Sequence, residues 1–441
     1  MSNFRSALLG AAAVLTLSAC STTPVSPPPA PPPPPPNPFA EASNLPLQAP
    51  DFGRIKDSDY QPALEEGMKQ QLVEIDTIAT NPAAPTFDNT LVALEKSGAM
   101  LTRASKVFFA LSQANTNDVL QKVKSDEAPK LAAHHDAIFL NAKLFARVQA
   151  LYDQRAALHL DPEQAMLLEV YYHGFVASGA KLGEADKKTL MEINQKLSTL
   201  QTTYDEKLLA ATKAGALAVD DKAKLAGLSE GEIVAAASAA EERGLKGKWV
   251  IPLRNTTQQP ALQSLADREV RKTFFDNSWT RTEKGDANDE RDTIATIAQL
   301  RAQKAALLGY PNWAAYTLED QMAKTPEAAL AFLSKLAPAA KSKAKVEAKE
   351  IQAAIKKSGG KFKLEPWDWE RYAEEVRKAK YALDDNQVKP YFEMKAVLED
   401  AFSLLPTSSM ASPSKSAKIS PSIRRMCAYS KCLIRTARRW V

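Results

Sequence analysis

Along most of the chain the apolar residues recur at helical spacing. Leu190, Ile193, Leu197, Leu200, Tyr204 and Leu208 step by threes and fours, which lays one stripe along an amphipathic helix. Helix starts are written in as well. Asp161-Pro162-Glu163-Gln164 offers an N-cap, a proline for the first turn and a glutamine three residues after the cap. Ser229-Glu230-Gly231-Glu232 reads as a capping box. Thr325-Pro326-Glu327 opens a long pattern through Ala329, Leu330, Leu333 and Leu336, and Ser358-Gly359-Gly360 should end it. Only Lys248–Leu253 resembles a strand, and Pro252 weakens it. No internal repeat is visible. The pattern predicts an all-α fold of layered helical hairpins.

Composition agrees with a globular chain, at 45% hydrophobic and 25% charged residues, and excludes a wholly disordered one. Its 16 glycines argue against an all-β protein rich in tight turns. The net charge of +5 is local in origin. From Phe402 to Val441 there are eight Lys and Arg and no acid, which leaves residues 1–401 at −3. The basic balance is therefore no sign of a nucleic-acid partner.

The residues offer no visible active site. A helical zinc site needs two histidines one turn apart. His134 and His135 are adjacent and point about 100° apart on a helix. His159 and His173 have no partner at four residues, and H-E-x-x-H does not occur. All four read as surface or packing histidines. Neither G-x-S-x-G nor a phosphate-binding glycine loop is present. Glu319-Asp320 and Asp368 with Glu370 are acidic pairs that read as solvated helix faces. Phe362, Trp367, Trp369 and Tyr372 could line a groove, but they read better as packing at a helix start.

The chain opens with Arg5, an apolar run Ala7–Leu17 and small residues, a run about half the ~20 residues a membrane span needs. This reads as a signal peptide. It ends in Leu17-Ser18-Ala19-Cys20, which resembles a bacterial lipobox. That resemblance implies a diacylglycerol on the Cys20 thiol and cleavage that makes Cys20 the first residue. Ser21 then points to the outer membrane, with the chain facing the periplasm. Pro24–Pro38 carries 11 of the 28 prolines. It reads as a polyproline II tether of roughly 45 Å.

Four stretches resemble the amino-terminal half of the thimet-oligopeptidase-like zinc metallopeptidases, a family that includes oligopeptidase A and the bacterial dipeptidyl carboxypeptidases. They are PTFDNTLVALEKSG (Pro85–Gly98), LGYPNWAAYTLEDQMAKTPEAALAFL (Leu308–Leu333), PWDWERYAEEVRKAKY (Pro366–Tyr381) and VKPYFEMKAVLED (Val388–Asp400). The resemblance implies one half of a two-lobed, all-α, channel-containing enzyme that admits short peptides. In the full-length family zinc sits on an H-E-x-x-H helix that lies in the other half. No catalytic or metal residue can be carried over, so no cofactor is expected on this chain itself.

The resemblance stops after Asp400. Codons can be chosen for Ala401 onward so that a one-base shift reads VFSAANQLYGITFKER, the family's own continuation. The implied reading is a frameshifted basic, Ser-rich tail, in which Cys427 and Cys432 are accidents of frame. The expected organisation is a signal peptide (1–19), a lipidated tether (20–39), the helical amino-terminal part of the peptidase (40–400) and an aberrant tail (401–441). The expected function is that of a truncated, lipid-anchored oligopeptidase or peptidyl-dipeptidase, inactive alone, with apolar helix stripes left open. The alternative is a non-catalytic peptide-binding or structural lipoprotein. Expected partners are short peptides, the membrane through Cys20 and a complementing carboxy-terminal fragment, with no nucleic acid.

Overall fold

The structure, a computed structural model, describes residues 36–397. Cys20, the signal peptide, most of the tether and the 401–441 tail lie outside the described residues. Asn37 opens the described body by donating from Nδ2 to the Asp59 carbonyl, 2.8 Å away.

Four helices follow: α1 (Tyr60–Ala79), α2 (Ala93–Lys96) after a π-helical turn (Phe87–Val92), α3 (Ala99–Ala114) and α4 (Asp118–Phe139). Phe39, Tyr60, Leu64, Ala104, Phe108 and Leu120 form the core between α1, α3 and α4. Gly67 lets α1 and α3 approach closely, since a Cβ there would lie 2.8 Å from the Leu101 Cα. Burial, with Asp57 and Asp59 nearby, pushes the Tyr60 hydroxyl up to about 12.

Next come α5 (Ala142–Asp153) and α6 (Pro162–Ala177). A second core joins Ile75, Leu91, Leu144, Val148, Leu168 and Phe175. The predicted start of α6 is present: the Asp161 side chain accepts the Gln164 amide at 2.9 Å. The long α7 (Glu184–Ala214) carries the Leu190–Leu208 stripe and buries Leu190, Ile193 and Leu197. It packs on α4.

A small module comes after α7. It comprises β1 (Leu217–Val219), α8 (Glu230–Glu241), β2 (Trp249–Ile251), α9 (Asn255–Ser264) and α10 (Arg268–Trp279). The strand expected at Lys248–Leu253 exists, but it has a partner that the sequence reading missed. β1 pairs with it antiparallel, Leu217 opposite Ile251 and Val219 opposite Trp249. A three-residue strand carries too little alternation to announce itself. Ser229 caps α8 as expected, its Oγ accepting the Glu232 amide at 3.4 Å.

The last part holds α11 (Arg291–Leu307), α12 (Trp313–Leu318), α13 (Pro326–Lys357), α14 (Pro366–Tyr381) and α15 (Asp385–Val388). Ile297 of α11 packs with Ile193 and Leu197 of α7. The ends of α13 are where the sequence puts them. Thr325 Oγ1 accepts the Ala328 amide at 3.2 Å, and Gly359 takes φ +86° just past the helix. Its packing is divided. Ile351 and Ile355 are buried, whereas every residue from 330 to 346 is exposed. The all-α class stands, with one two-stranded ribbon.

Candidate functional site

The motif-bearing segments converge on α10, α13 and α14. Pro366 starts α14, so Asp368 falls at the third helical position, where the helix dipole favours a carboxylate. Arg268 and Arg271, one turn apart on α10, reach that carboxylate together. Arg268 gives Nε to Oδ1 at 3.0 Å and Nη2 to Oδ2 at 2.9 Å, and Arg271 gives Nη2 to Oδ1 at 3.1 Å. The Glu365 amide adds a bond to Oδ2 at 3.3 Å. Asp368 is 0% exposed and Arg271 only 1%. Arg271 also ties down the α9–α10 connection, donating Nη1 to the Leu265 and Ala266 carbonyls, each at 2.9 Å.

Three of the four aromatics, Phe362, Trp367 and Tyr372, sit against the arginines. The Phe362 ring lies 4.2 Å from the Arg268 guanidinium and Trp367 5.6 Å, while Tyr372 covers Arg271 at 5.9 Å. They cover the buried side of the ion pair, which strengthens it, while Arg268 stays partly exposed. Phe362 also borders an open depression of about 620 Å³ at the α13–α14 turn, with Gln352, Lys356, Lys361 and Lys363.

The expected acidic pairs are taken apart. Asp368 is saturated by arginines, while its neighbour Glu370 accepts from Gln259 and Gln263 at 3.3 and 3.5 Å. Glu319 accepts the Tyr310 hydroxyl, and Asp320 accepts Gln321 Nε2 at 2.6 Å. Burial and Glu319 raise the Tyr310 hydroxyl well above the usual phenol range. Each of these carboxylates is engaged by a neighbouring side chain. Sequence reasoning missed the Arg268–Arg271 pair, although two arginines three apart near a helix start were visible.

The LGYPNW segment is likewise structural. Asn312 Oδ1 accepts the Ala315 amide at 2.9 Å and caps α12, and Tyr316 donates its hydroxyl to the Ala177 carbonyl at 3.3 Å. Beneath it Lys304 donates to Asn194 Oδ1 at 2.7 Å, and Asn194 donates to Asp136 Oδ1 at 2.8 Å. This chain of bonds joins α11, α7 and α4. Burial lowers the Lys304 pKa, and Asp136 opposes that shift.

The histidines do not fit a zinc site. His134 Nε2 is 2.7 Å from Gln71 Oε1, and His135 stacks on Phe139 with ring centroids 4.4 Å apart. His159 is exposed at φ +48°, and His173 lies edge-on to Tyr172. Among the described residues no three His, Cys, Asp or Glu side chains converge to hold a metal ion.

Comparison with known proteins shows what this framework is similar to. The pattern of peptidase family M3 matches residues 261–406, which include α10, α13 and α14. The dipeptidyl carboxypeptidase of Escherichia coli (strain K12) is 50% identical over 364 residues, covering 82% of this chain and 54% of that protein. The Salmonella typhimurium dipeptidyl carboxypeptidase is also 50% identical over 364 residues. Oligopeptidase A of Haemophilus influenzae is 26% identical over 373 residues, 84% of this chain and 54% of its own length. The chain thus spans about half the length of the curated relatives it matches. With 50% identity to the dipeptidyl carboxypeptidases over 364 residues, and a family match that includes the helices of the Arg268–Asp368 pair, the chain is similar to the peptidases of family M3.

Proposed function

We propose that this chain is the non-catalytic part of an exported, lipid-anchored zinc oligopeptidase or peptidyl-dipeptidase, and that it does not hydrolyse peptides by itself. The observation that carries the reading is the 50% identity to dipeptidyl carboxypeptidase over 364 residues. In this reading Cys20 carries the lipid, Pro24–Pro38 holds the helices off the outer membrane on its periplasmic side, and short peptides are the substrate class of the complete enzyme.

The test uses the full chain and Escherichia coli dipeptidyl carboxypeptidase side by side, with a blocked short peptide and metal analysis. The expected result is no bound stoichiometric zinc and no cleavage for this chain. Zinc-dependent cleavage by the chain alone would overturn the reading. Peptide binding without zinc or cleavage would favour a peptide-capturing lipoprotein instead.

A further inference from the structure

The run from Lys335 to Lys363 carries nine lysines against two glutamates, a balance of +7 inside residues 1–401, whose own balance is −3. Four of these lysines share one side of α13. At about 100° per residue, Lys341, Lys345, Lys349 and Lys356 fall within about 80° of the helix circumference, with Gln352 between them. All four lysines are exposed. The acids of the same stretch stand on the other side and are already engaged. Glu347 lies 3.7 Å from Lys343, and Glu350 lies 2.6 Å from Lys380. Among the described residues no acidic side chain forms an ion pair with any of the four. Like charges at every fourth helical position repel one another, so the row weakens the helix and nothing within the fold offsets that. The row advances about 6 Å per four-residue step and about 22 Å from Lys341 to Lys356. It ends at the open depression of about 620 Å³ that Lys356, Lys361, Phe362 and Lys363 border.

We propose that this lysine row is a docking surface for the phosphate headgroups of an anionic membrane, and that it lays α13 against the membrane that holds the chain. The proposal goes beyond the peptidase reading, and it rests on the lipoprotein part of that reading for the presence of the membrane. Charge complementarity selects the occupant. Lysine ammoniums are hydrated point charges on flexible stems, and they lack the rigid fork that grips one carboxylate or one phosphate. An evenly spaced row of them on a convex helix matches an extended array of phosphates better than a single small anion. A basic patch beside an acyl anchor is also one form of the second signal that makes anchoring stable. Each lysine near an anionic surface strengthens binding about 5-fold. At physiological salt the screening length is about 8 Å, so the row alone makes a reversible contact that does not keep an unlipidated chain in a membrane pellet.

The test uses the full chain with Cys20→Ser, which removes the proposed lipid, and vesicles of phosphatidylcholine with or without phosphatidylglycerol. At about 0.01 M salt the screening length is about 30 Å, and the chain should co-sediment with the anionic vesicles and not with the neutral ones. Lys341→Gln, Lys345→Gln and Lys349→Gln together should weaken that partition roughly 100-fold. Gln suits a helix about as well as Lys, so the circular dichroism should not change. Arginine at the same three positions should keep the binding. Lys143→Gln, Lys188→Gln and Lys196→Gln remove the same charge from exposed lysines elsewhere and should leave the partition unchanged. Equal weakening by the two triple variants would mean that overall charge drives binding, and it would overturn the proposal. So would equal binding to neutral vesicles, or binding that ignores the row and so belongs to the basic residues of 402–441. Displacement by inorganic phosphate or by an acidic peptide at fixed ionic strength would make the row a small-anion or peptide site and overturn it too. The acyl mass of the native chain is measured separately. Row-dependent binding without that mass keeps the docking surface and refutes the lipoprotein reading, whereas the mass without row-dependent binding refutes the surface alone.

Discussion

Arg268 and Asp368, one hundred positions apart, meet in a two-pronged pair with Nε 3.0 Å from Oδ1 and Nη2 2.9 Å from Oδ2. The pair closes α14 onto α10, and Arg271 completes it from beneath. Charges taken out of water at this depth are costly unless each finds its partner. Here Asp368 has two guanidinium partners and a helix N-terminus, and the arginines have aromatic faces above and carbonyls below.

Removing the shared acid should therefore cost more than removing either base. Asp368→Ala leaves Arg271 buried without its counter-charge, and the expected loss is about 3–5 kcal/mol. Arg268→Met should cost less, because Arg268 is partly exposed and Asp368 keeps Arg271. Urea unfolding of the two single variants and the double variant gives the coupling directly. Equal losses for both single variants would show that Arg271 contributes nothing.

Helix starts were legible because capping chemistry is local: Asp161, Ser229 and Thr325 each need only the next three residues. The Leu190–Leu208 stripe was legible because α7 runs long enough for its period to repeat. The two-stranded ribbon was not, since β1 pairs with residues about thirty positions later and neither strand exceeds three residues. From the chain alone Asp368 pairs with Glu370 as an acidic neighbour, because adjacency on the chain is visible and an arginine one hundred residues away is not. The stripe on α13 was legible as a helix but not as an open face, because periodicity says which side is apolar and not whether anything covers it.

Arg147 of α5 is buried and holds the loop ahead of α2. Its Nη1 donates to the Asn81 and Ala83 carbonyls at 2.9 and 3.0 Å, and its Nη2 donates to Asn89 Oδ1 at 2.8 Å. Arg147→Met fills the space but takes the donor from the Asn81 and Ala83 carbonyls, while Asn89 Oδ1 keeps the Thr86 amide and the Thr90 hydroxyl. The expected loss is about 2–3 kcal/mol, near that for hydrogen bonds to a charged group. Hydrogen exchange should rise at residues 81–90 and stay unchanged in α7. A uniform rise along the chain would mean that the arginine stabilises the whole core rather than this loop.

His134 should make stability fall with acid. Gln71 Oε1 accepts from Nε2, while Nδ1 is buried without a partner. Burial and neighbouring His135 hold the His134 pKa below its ordinary value near 6.5. The unfolded chain then binds the proton more readily than the folded one. The associated stability is present above about pH 6.5 and is lost as pH falls through the lower folded value. Melting temperatures taken from pH 7.5 to 5 should drop more steeply for the native chain than for His134→Gln. Parallel curves would assign the acid sensitivity to other groups.

Cys20→Ser tests the anchor. Among the described residues no helix is long and apolar enough to cross a membrane, so the proposed attachment rests on lipid at the amino terminus. One acyl chain alone binds only marginally, and stable anchoring takes a second chain or signal. The native chain should therefore carry the mass of a multiply acylated Cys20 and sediment with membranes. Cys20→Ser should lose that mass and move to the soluble fraction, with its helical circular dichroism unchanged because the described helices begin forty residues later at Tyr60. Retention of Cys20→Ser in the membrane fraction would show that something other than the Cys20 lipid holds the chain there. A native chain without added mass would end the lipoprotein reading outright.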